Sequence, residues 1–431
     1  MFWKRKDKLS VTPLGGADGY VGHNCFLYES GKFAVVVDCG IKPQTYEERK
    51  RMREAGLVPN PNWVDSPPGL NFLDDALRKG RDVVCVNTHA HLDHIGAVRE
   101  LSRRRIPVHI SQPSKLFMER YAENLKIPVG AEFRIFNQNT ILKHGDIEIS
   151  FVPLQHSIPG NYGVLMRAGG KSVLHLGDFK FNGLKESIDE TRRIFQEIHR
   201  KVGRINCLVM DILNAEIEGF TPPEQLVLDS IDKIVSEARG RVMITFFSSN
   251  LQRMEGILKI AKSQRKRVAV FGWGMSDSYL RLTGREPSQY GDIILVSGSQ
   301  GEEDSGLVKM AKGEHKFLRL LRRDTVVNSS RCIPGNEEAV SETTENLHKY
   351  GVTIFLHQGE TKKLGLSFEP EEELLHVSGH EQRGGLLEVR DILDPDVIVP
   401  FHAPEDRYDM FEKFVGGKKT KRLQVGETLE I

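Results

Sequence analysis

Three histidines and an aspartate, His89, His91, Asp93 and His94, fall within six positions directly after the apolar run Val83-Val84-Cys85-Val86. Such a run reads as a buried strand, so the polar cluster sits on the loop at its carboxyl end, where α/β folds carry their sites. Neutral imidazole together with carboxylate is a donor set for zinc, manganese or iron. Residues two apart in an extended loop point the same way, so His89 and His91 can grip one ion while Asp93 and His94 turn toward a second. A lone histidine after a strand is more often an ordinary loop residue; four donors at this spacing read as a metal centre.

His89-Ala90-His91-Leu92-Asp93-His94 resembles the HxHxDH signature of the metallo-β-lactamase superfamily. The resemblance implies a four-layer αββα sandwich with two divalent ions at one edge, and hydrolysis of an ester, thioester, lactam or phosphodiester. Other strand ends then acquire meaning. Asp38 closes Phe33 to Val37 and would orient the ligands, although alone it reads as a turn cap. His156 follows Ile147 to Pro153 and is placed to be the third ligand of the first ion. Asp178, in Gly177-Asp178-Phe179-Lys180, can bridge both ions. His402 ends Val397 to Phe401 and supplies the remaining ligand of the second. His175 lies within a strand and reads as a hydrogen-bonded core residue.

The elements that must carry these residues come in two series. Short strands to Phe151 alternate with helices, and Tyr162–Met166 and Ser172–Leu176 form a hairpin around Gly169-Gly170. The glycines between Gly15 and Gly22 lead into a strand, not a helix, so a dinucleotide fingerprint is rejected. After Asp211 a second strand and helix series opens at Thr221-Pro222-Pro223-Glu224, read as a capping box. It continues to Ile294 as in a doubly wound parallel sheet, and reads as a domain inserted into the first. Its loops Ser297 to Glu302 and Asn328 to Glu337 offer small residues and backbone N–H groups to a phosphate backbone. His376 and His380 flank Ser378-Gly379, positioned to bind a phosphate or protonate a leaving oxygen. Lys42 to Leu70 is polar and of undefined order.

At 431 residues the chain suits two or three domains. Lys plus Arg number 60 against 59 Asp plus Glu, so whole-chain charge selects no partner. Basic clusters at Lys4 to Lys8, Arg103 to Arg105, Lys262 to Arg267, His315 to Arg323 and Lys418 to Arg422 read first as solvated faces. The five cysteines form no CxxC pair and read as free thiols of a reducing compartment. No apolar run reaches the length of a membrane span, and no signal sequence opens the chain; a cytoplasmic protein without membrane contact is expected.

His89 to His94, His156, Asp178, Asp211, His380 and His402 together resemble the β-CASP nuclease branch, and within it the ribonuclease J group over nearly the whole chain. Asp211 matches the acidic motif A, His380 the motif B histidine and His402 the motif C histidine. The likeness implies an αββα metallo-β-lactamase sandwich over 1–212 and 366–431, with an inserted α/β parallel-sheet β-CASP domain over 213–365. It departs at His402-Ala403-Pro404-Glu405, where the family has His-Gly-Glu, and at Leu92, Gln252 and Ile212-Leu213. None of these removes a ligand. The chain stops soon after Gly426, so the short form without the C-terminal domain of many bacterial members is expected.

The resemblance implies hydrolysis of single-stranded RNA, with DNA as a second substrate, by 5′-to-3′ exonuclease action together with endonuclease cuts. Two divalent ions, of zinc or else of manganese, would be held by His89, His91, His156, Asp93, His94, His402 and Asp178. Asp93, Asp211 and His380 would act in catalysis, His380 as the general acid. His376, Ser378, Gly379 and Ser329 would bind substrate phosphates. The inserted domain would act as a lid over a threaded strand, and a homodimer is among the assemblies the family allows. A dinuclear hydrolase of thioesters, lactones or lactams is the alternative, which explains the ligands but not the inserted domain or His380.

Overall fold

A computed structural model of the chain describes residues 8–42, 44–54, 66–125, 130–183, 187–415 and 419–431. Residues 4–7 and 418 of the first and last basic clusters lie outside these. The chain forms two compact units. Met1–Pro43, Asn60–Thr221 and Gly379–Ile431 make the first; Gln44–Pro59 and Pro222–Ser378 make the second. The chain therefore crosses between units after the positions 212 and 365 read from sequence, and the polar segment 44–59 joins the second unit. Its described part carries the helix Tyr46–Glu54, tied in by Tyr46 N donating to Asn336 Oδ1 at 2.7 Å.

The first unit's strands run β1 Ser10–Gly15, β2 Cys25–Ser30, β3 Phe33–Val37, β4 Asp82–Val86, β5 Val108–Ser111, β6 Phe133–Phe136, β7 Ile141–His144, β8 Ile147–Pro153, β9 Tyr162–Ala168, β10 Lys171–His175 and β11 Cys207–Asp211. The second unit holds β12 Val242–Thr245, β13 Val268–Phe271, β14 Ile293–Val296, β15 Thr325–Asn328, β16 Thr353–His357 and β17 Glu371–Glu373. Then β18 Val397–Phe401 and β19 Leu429–Glu430 return to the first.

Period-two alternation builds the first unit in layers. One sheet has the order β19-β1-β2-β3-β4-β5-β6, the other β18-β11-β10-β9-β8-β7. Val35, Val37, Val84 and Val86 face inward, meeting Ile149, Phe151, Val164 and Val209 of the other sheet. Their neighbours Ala34, Val36, Val83 and Cys85 face the opposite way, onto Leu73 and Ala76 of the helix Leu70–Arg78 and Leu101 of the helix Val98–Arg103. Leu174, Leu208 and Met210 likewise turn outward onto Phe195 of the helix Ile188–Val202 and Val389 of the helix Arg383–Leu393. Four layers, αββα, result, as expected. Each such valine or leucine contributes about 1.5–3 kcal/mol by leaving water, which fixes which face of each strand is inside.

The parallel pairs β3–β4, β10–β11 and β11–β18 place several strand ends at a common edge of the sandwich. In the second unit the order is β13-β14-β12-β15-β16-β17, all parallel. The expected capping box does not form. Pro223, which has no N–H, precedes the helix Glu224–Glu237, and Glu224 instead lies buried against Arg253 at 2.6 Å.

Candidate metal centre

Each donor stands just beyond a strand end, where the backbone leaves the ladder. His89 and His91 follow β4 in extended chain, whereas Asp93 and His94 sit in the one-turn helix Leu92–Ile95, capped by His91 at φ −68°, ψ 148°. The extended loop expected from sequence holds for His89 and His91 and gives way to a turn of helix at Asp93 and His94, which swings these two toward the second group. Asp38 after β3, Gly177 after β10 and His402 after β18 adopt positive φ of 62°, 63° and 60°. Left-handed backbone at Asp38 and His402 is a conformation that non-glycine residues adopt at a cost of roughly 1–3 kcal/mol. The fold accepts it twice at this edge.

The loops bring the donors together. His91 Nδ1 lies 3.1 Å from His89 Nε2 and 3.0 Å from His156 Nε2. Asp178 Oδ2 lies 3.7 Å from His89 Nε2, 3.8 Å from His156 Nε2, 3.2 Å from His94 Nε2 and 3.9 Å from His402 Nε2. Asp93 Oδ2 is 3.7 Å from His94 Nε2 and 3.6 Å from His402 Nε2. Two groups of four potential ligands therefore meet at Asp178: His89, His91 and His156 on one side, Asp93, His94 and His402 on the other.

The far nitrogens of four of these rings meet partners that can fix the inward nitrogen as the lone-pair donor. His94 Nδ1 donates to Asp38 Oδ2 at 2.7 Å, His156 Nδ1 to the Gly379 carbonyl at 2.7 Å, and His402 Nδ1 to Asn24 Oδ1 at 3.0 Å. Thr88 Oγ1 accepts from His89 Nδ1 at 3.1 Å and donates to Asp38 Oδ2 at 2.7 Å. Asp38 also accepts from Asn87 Nδ2 and from the Thr88 amide. A proton fixed on the outer nitrogen leaves the inner one as a ligand.

Burial, with the neighbouring imidazoles, pushes His89 and His156 well below the usual histidine range. His91 is pushed down to about 4, chiefly by burial. These rings are neutral, as ligation requires. Burial also opposes charge on Asp178, but His402, His94 and His380 outweigh it and hold the carboxyl well below the usual range. Asp178 Oδ1 is buried with no hydrogen-bond partner among the described residues. An unpaired buried carboxylate oxygen is costly unless a cation meets it. Three convergent neutral nitrogens and this orphaned oxygen fit a pair of divalent cations.

Asp211, ending β11, receives His380: Nδ1 and Oδ2 are 2.6 Å apart, and Asp211 Oδ1 accepts from the Leu213 amide at 2.8 Å. His380 Nδ1 is also 3.8 Å from Asp178 Oδ2. Burial works against charge on this ring, yet Asp211 and Asp178 push it up to about 9, which favours the imidazolium.

Sequence reading missed four residues of this edge. Asn24, fully buried, touches His402, His94 and, at 3.5 Å, Asp93. Thr88 links His89 to Asp38. Asn161 Nδ2 donates to the Asp178 carbonyl at 2.7 Å. Glu381 accepts from the amides of Phe181 at 2.5 Å, Thr221 at 2.8 Å and Gln382 at 3.0 Å, fastening the loop beyond Asp178 to that of His380. An amide or carboxylate beside a motif histidine is a usable signal; the partners were not readable.

The residues expected to hold phosphates divide. Gly379 packs on His156: a Cβ there would stand 2.5 Å from His156 Cε1, so the glycine serves the ligand ring. His376 and Ser378 belong to the second unit, where the His376 ring meets Phe247 and His357 edge-on. Ser329 is fully buried; its hydroxyl donates to the Leu375 carbonyl at 2.7 Å and accepts from Arg253 at 3.3 Å, so it is committed to the unit's own polar network. His175 is a core residue as expected, with Nδ1 2.8 Å from Tyr28 Oη.

The chain is similar to known proteins. The model of the metallo-beta-lactamase superfamily matches residues 18–236, and that of the ribonuclease J beta-CASP domain matches residues 285–347. Ribonuclease J of Mycoplasma pneumoniae is 30% identical over 426 residues, covering 92% of this chain and 68% of that one. Ribonuclease J of Sinorhizobium meliloti is also 30% identical, covering 99% and 74%. A crystal structure of an Enterococcus faecalis protein of unknown function superposes with a TM-score of 0.56 at 15% identity, covering 98% of this chain and all of that one; this likeness is one of fold.

Proposed function

Because the chain belongs to the ribonuclease J family of the metallo-β-lactamase superfamily, we propose that it hydrolyses phosphodiester bonds of single-stranded RNA from the 5′ end, with internal cuts as a second mode. It is a metal-dependent ribonuclease. The observation that carries the reading is the convergence of the ligand atoms on Asp178, beside the ion pair of His380 with Asp211.

His89, His91 and His156 would hold one cation, Asp93, His94 and His402 the other, with Asp178 shared; zinc, or else manganese, suits nitrogen and carboxylate donors. When bound, divalent cations lower the pKa of a water and draw charge from the phosphate. The chain's own side chains do the rest. Asp38, Asn24, Thr88 and the Gly379 carbonyl fix the ligand rings. Asp211 holds His380 by Nδ1, so delivery of a proton to the leaving ribose oxygen falls to Nε2.

The five cysteines are buried and outside any disulfide, which supports a reducing, cytoplasmic setting. Among the described residues no helix is long and apolar enough to cross a membrane.

The test is metal-loaded protein with a 5′-monophosphorylated single-stranded RNA labelled at its 3′ end, beside Asp93→Ala. Fragments shortening from the 5′ end, absent from the control, are expected. Discrete internal products alone would make it an endonuclease. Turnover of a thioester or lactone with intact RNA would replace the reading by a small-molecule hydrolase.

A further inference from the structure

The parallel sheet of the second unit has chemically different ends. At the carboxyl ends the loops are closed on themselves: Gln300 bonds to Ser330, the Arg331 carbonyl, Ile333 and Asn336. At the amino ends four of the six strands are entered through cationic residues. Arg239 and Arg241 precede β12, Arg265 to Arg267 precede β13, Arg322 and Arg323 precede β15, and Lys349 precedes β16.

The strand order β13-β14-β12-β15-β16 sets these entries in a row roughly 20 Å long, at about 4.8 Å per strand. The register is direct: Arg267 bonds Asp292 before β14, the Thr325 amide donates to the Arg241 carbonyl at 2.9 Å, and Arg241 reaches the Arg319 carbonyl at 2.7 Å.

Two of the charges are neutralised on the spot, Arg267 by Asp292 and Arg241 by the buried Asp324. Arg239, Arg265, Arg319, Arg322 and Arg323 are exposed and, among the described residues, have no ion-pair partner. The chain as a whole carries a formal net charge of only +1, so this excess is local. Aromatic rings stand among the arginines: Tyr290 is 79% exposed, Phe317 66% and Tyr350 37%. Rings of this kind in a core face would be covered.

We propose that this amino-end face is a second contact for single-stranded RNA, the arginines meeting phosphates and the exposed rings stacking on bases. It rests on the ribonuclease reading for its ligand. A strand with unpaired bases fits better than a duplex, whose bases are stacked inside, and better than a lipid surface, for which a continuous apolar face would be needed. Uncompensated arginines release phosphate counterions on binding.

The experiment is fluorescence anisotropy of a labelled oligouridine long enough to cross the face, in EDTA, over a salt series. It compares wild type, Arg319→Gln/Arg322→Gln/Arg323→Gln, the independent pair Arg239→Gln/Arg265→Gln, and Tyr290→Ser/Phe317→Ser, each checked for folding by its thermal melt. The triple variant is expected to bind roughly tenfold more weakly near 0.1 M salt, with its log K against log salt slope shallower by about 2. Turnover at saturating RNA should stay at the wild-type value. Unchanged affinity and slope in both arginine variants overturn the proposal. Loss of binding to phosphatidylserine vesicles with RNA binding intact overturns it in favour of a membrane surface. If wild type binds RNA, cleaves none, and the variants bind more weakly, the face stands and the ribonuclease reading falls.

Discussion

His380 Nδ1 rests 2.6 Å from Asp211 Oδ2, a half-buried pair in which the aspartate both orients the ring and favours its charged form. If the ring delivers a proton to the leaving oxygen, His380→Ala should lower kcat by about 10²–10⁴-fold while metal content, measured by plasma emission, stays at the wild-type value. Asp211→Asn should lose part of that rate and move the alkaline limb of the kcat profile downward, because a neutral amide no longer supports the imidazolium. Loss of metal in His380→Ala would instead make the ring a ligand.

Asp38 touches no substrate in this scheme, yet it accepts from His94, Thr88 and Asn87. Asp38→Ala should weaken metal binding by about 10–100-fold, read by competition with a chromophoric chelator. Excess metal should restore much of the turnover. Failure of that rescue at full occupancy would show a role beyond orienting ligands.

Gly379 has no room for a side chain beside His156. Gly379→Ala should push the ring aside and lower affinity at one of the two ions, so that titration shows one tight and one weakened equivalent. Two unaltered equivalents together with a raised KM for RNA would return Gly379 to phosphate binding.

His175 is fully buried and pushed down to about 3, chiefly by burial. The unfolded chain binds its proton near pH 6.5 and the folded chain does not, so stability falls as pH drops below about 6.5 and goes on falling toward 3. At about 1.4 kcal/mol per unit, the loss amounts to a few kcal/mol across that window. Urea midpoints of metal-free wild type should therefore decline more steeply with acid than those of His175→Gln. Parallel declines would exclude this residue as the source.

Legibility in the sequence followed the range of the interaction. The αββα layers and the ligands at strand ends could be read because apolar alternation and a histidine within three residues of Val86, Pro153 or Phe401 are local facts. Asn24 could not, since it meets His402 only when β18 closes beside the first strands. Glu381 was likewise silent: its amide partners, Phe181 and Thr221, are remote in sequence. Ser329 misled because a serine after a strand reads the same whether it faces solvent or, as here, Arg253. Thr221 misled for a different reason. Its hydroxyl donates to the His380 carbonyl at 2.6 Å, a long-range bond that won over a local cap.

The first unit is completed late in the chain. β18 lies against β11, β19 lies against β1, and both follow the whole stretch Pro222–Ser378. A chain that ends with that stretch therefore lacks both His380 and His402. No fragment that stops before β18 can hold the second group of ligands, because His402 is its fourth member.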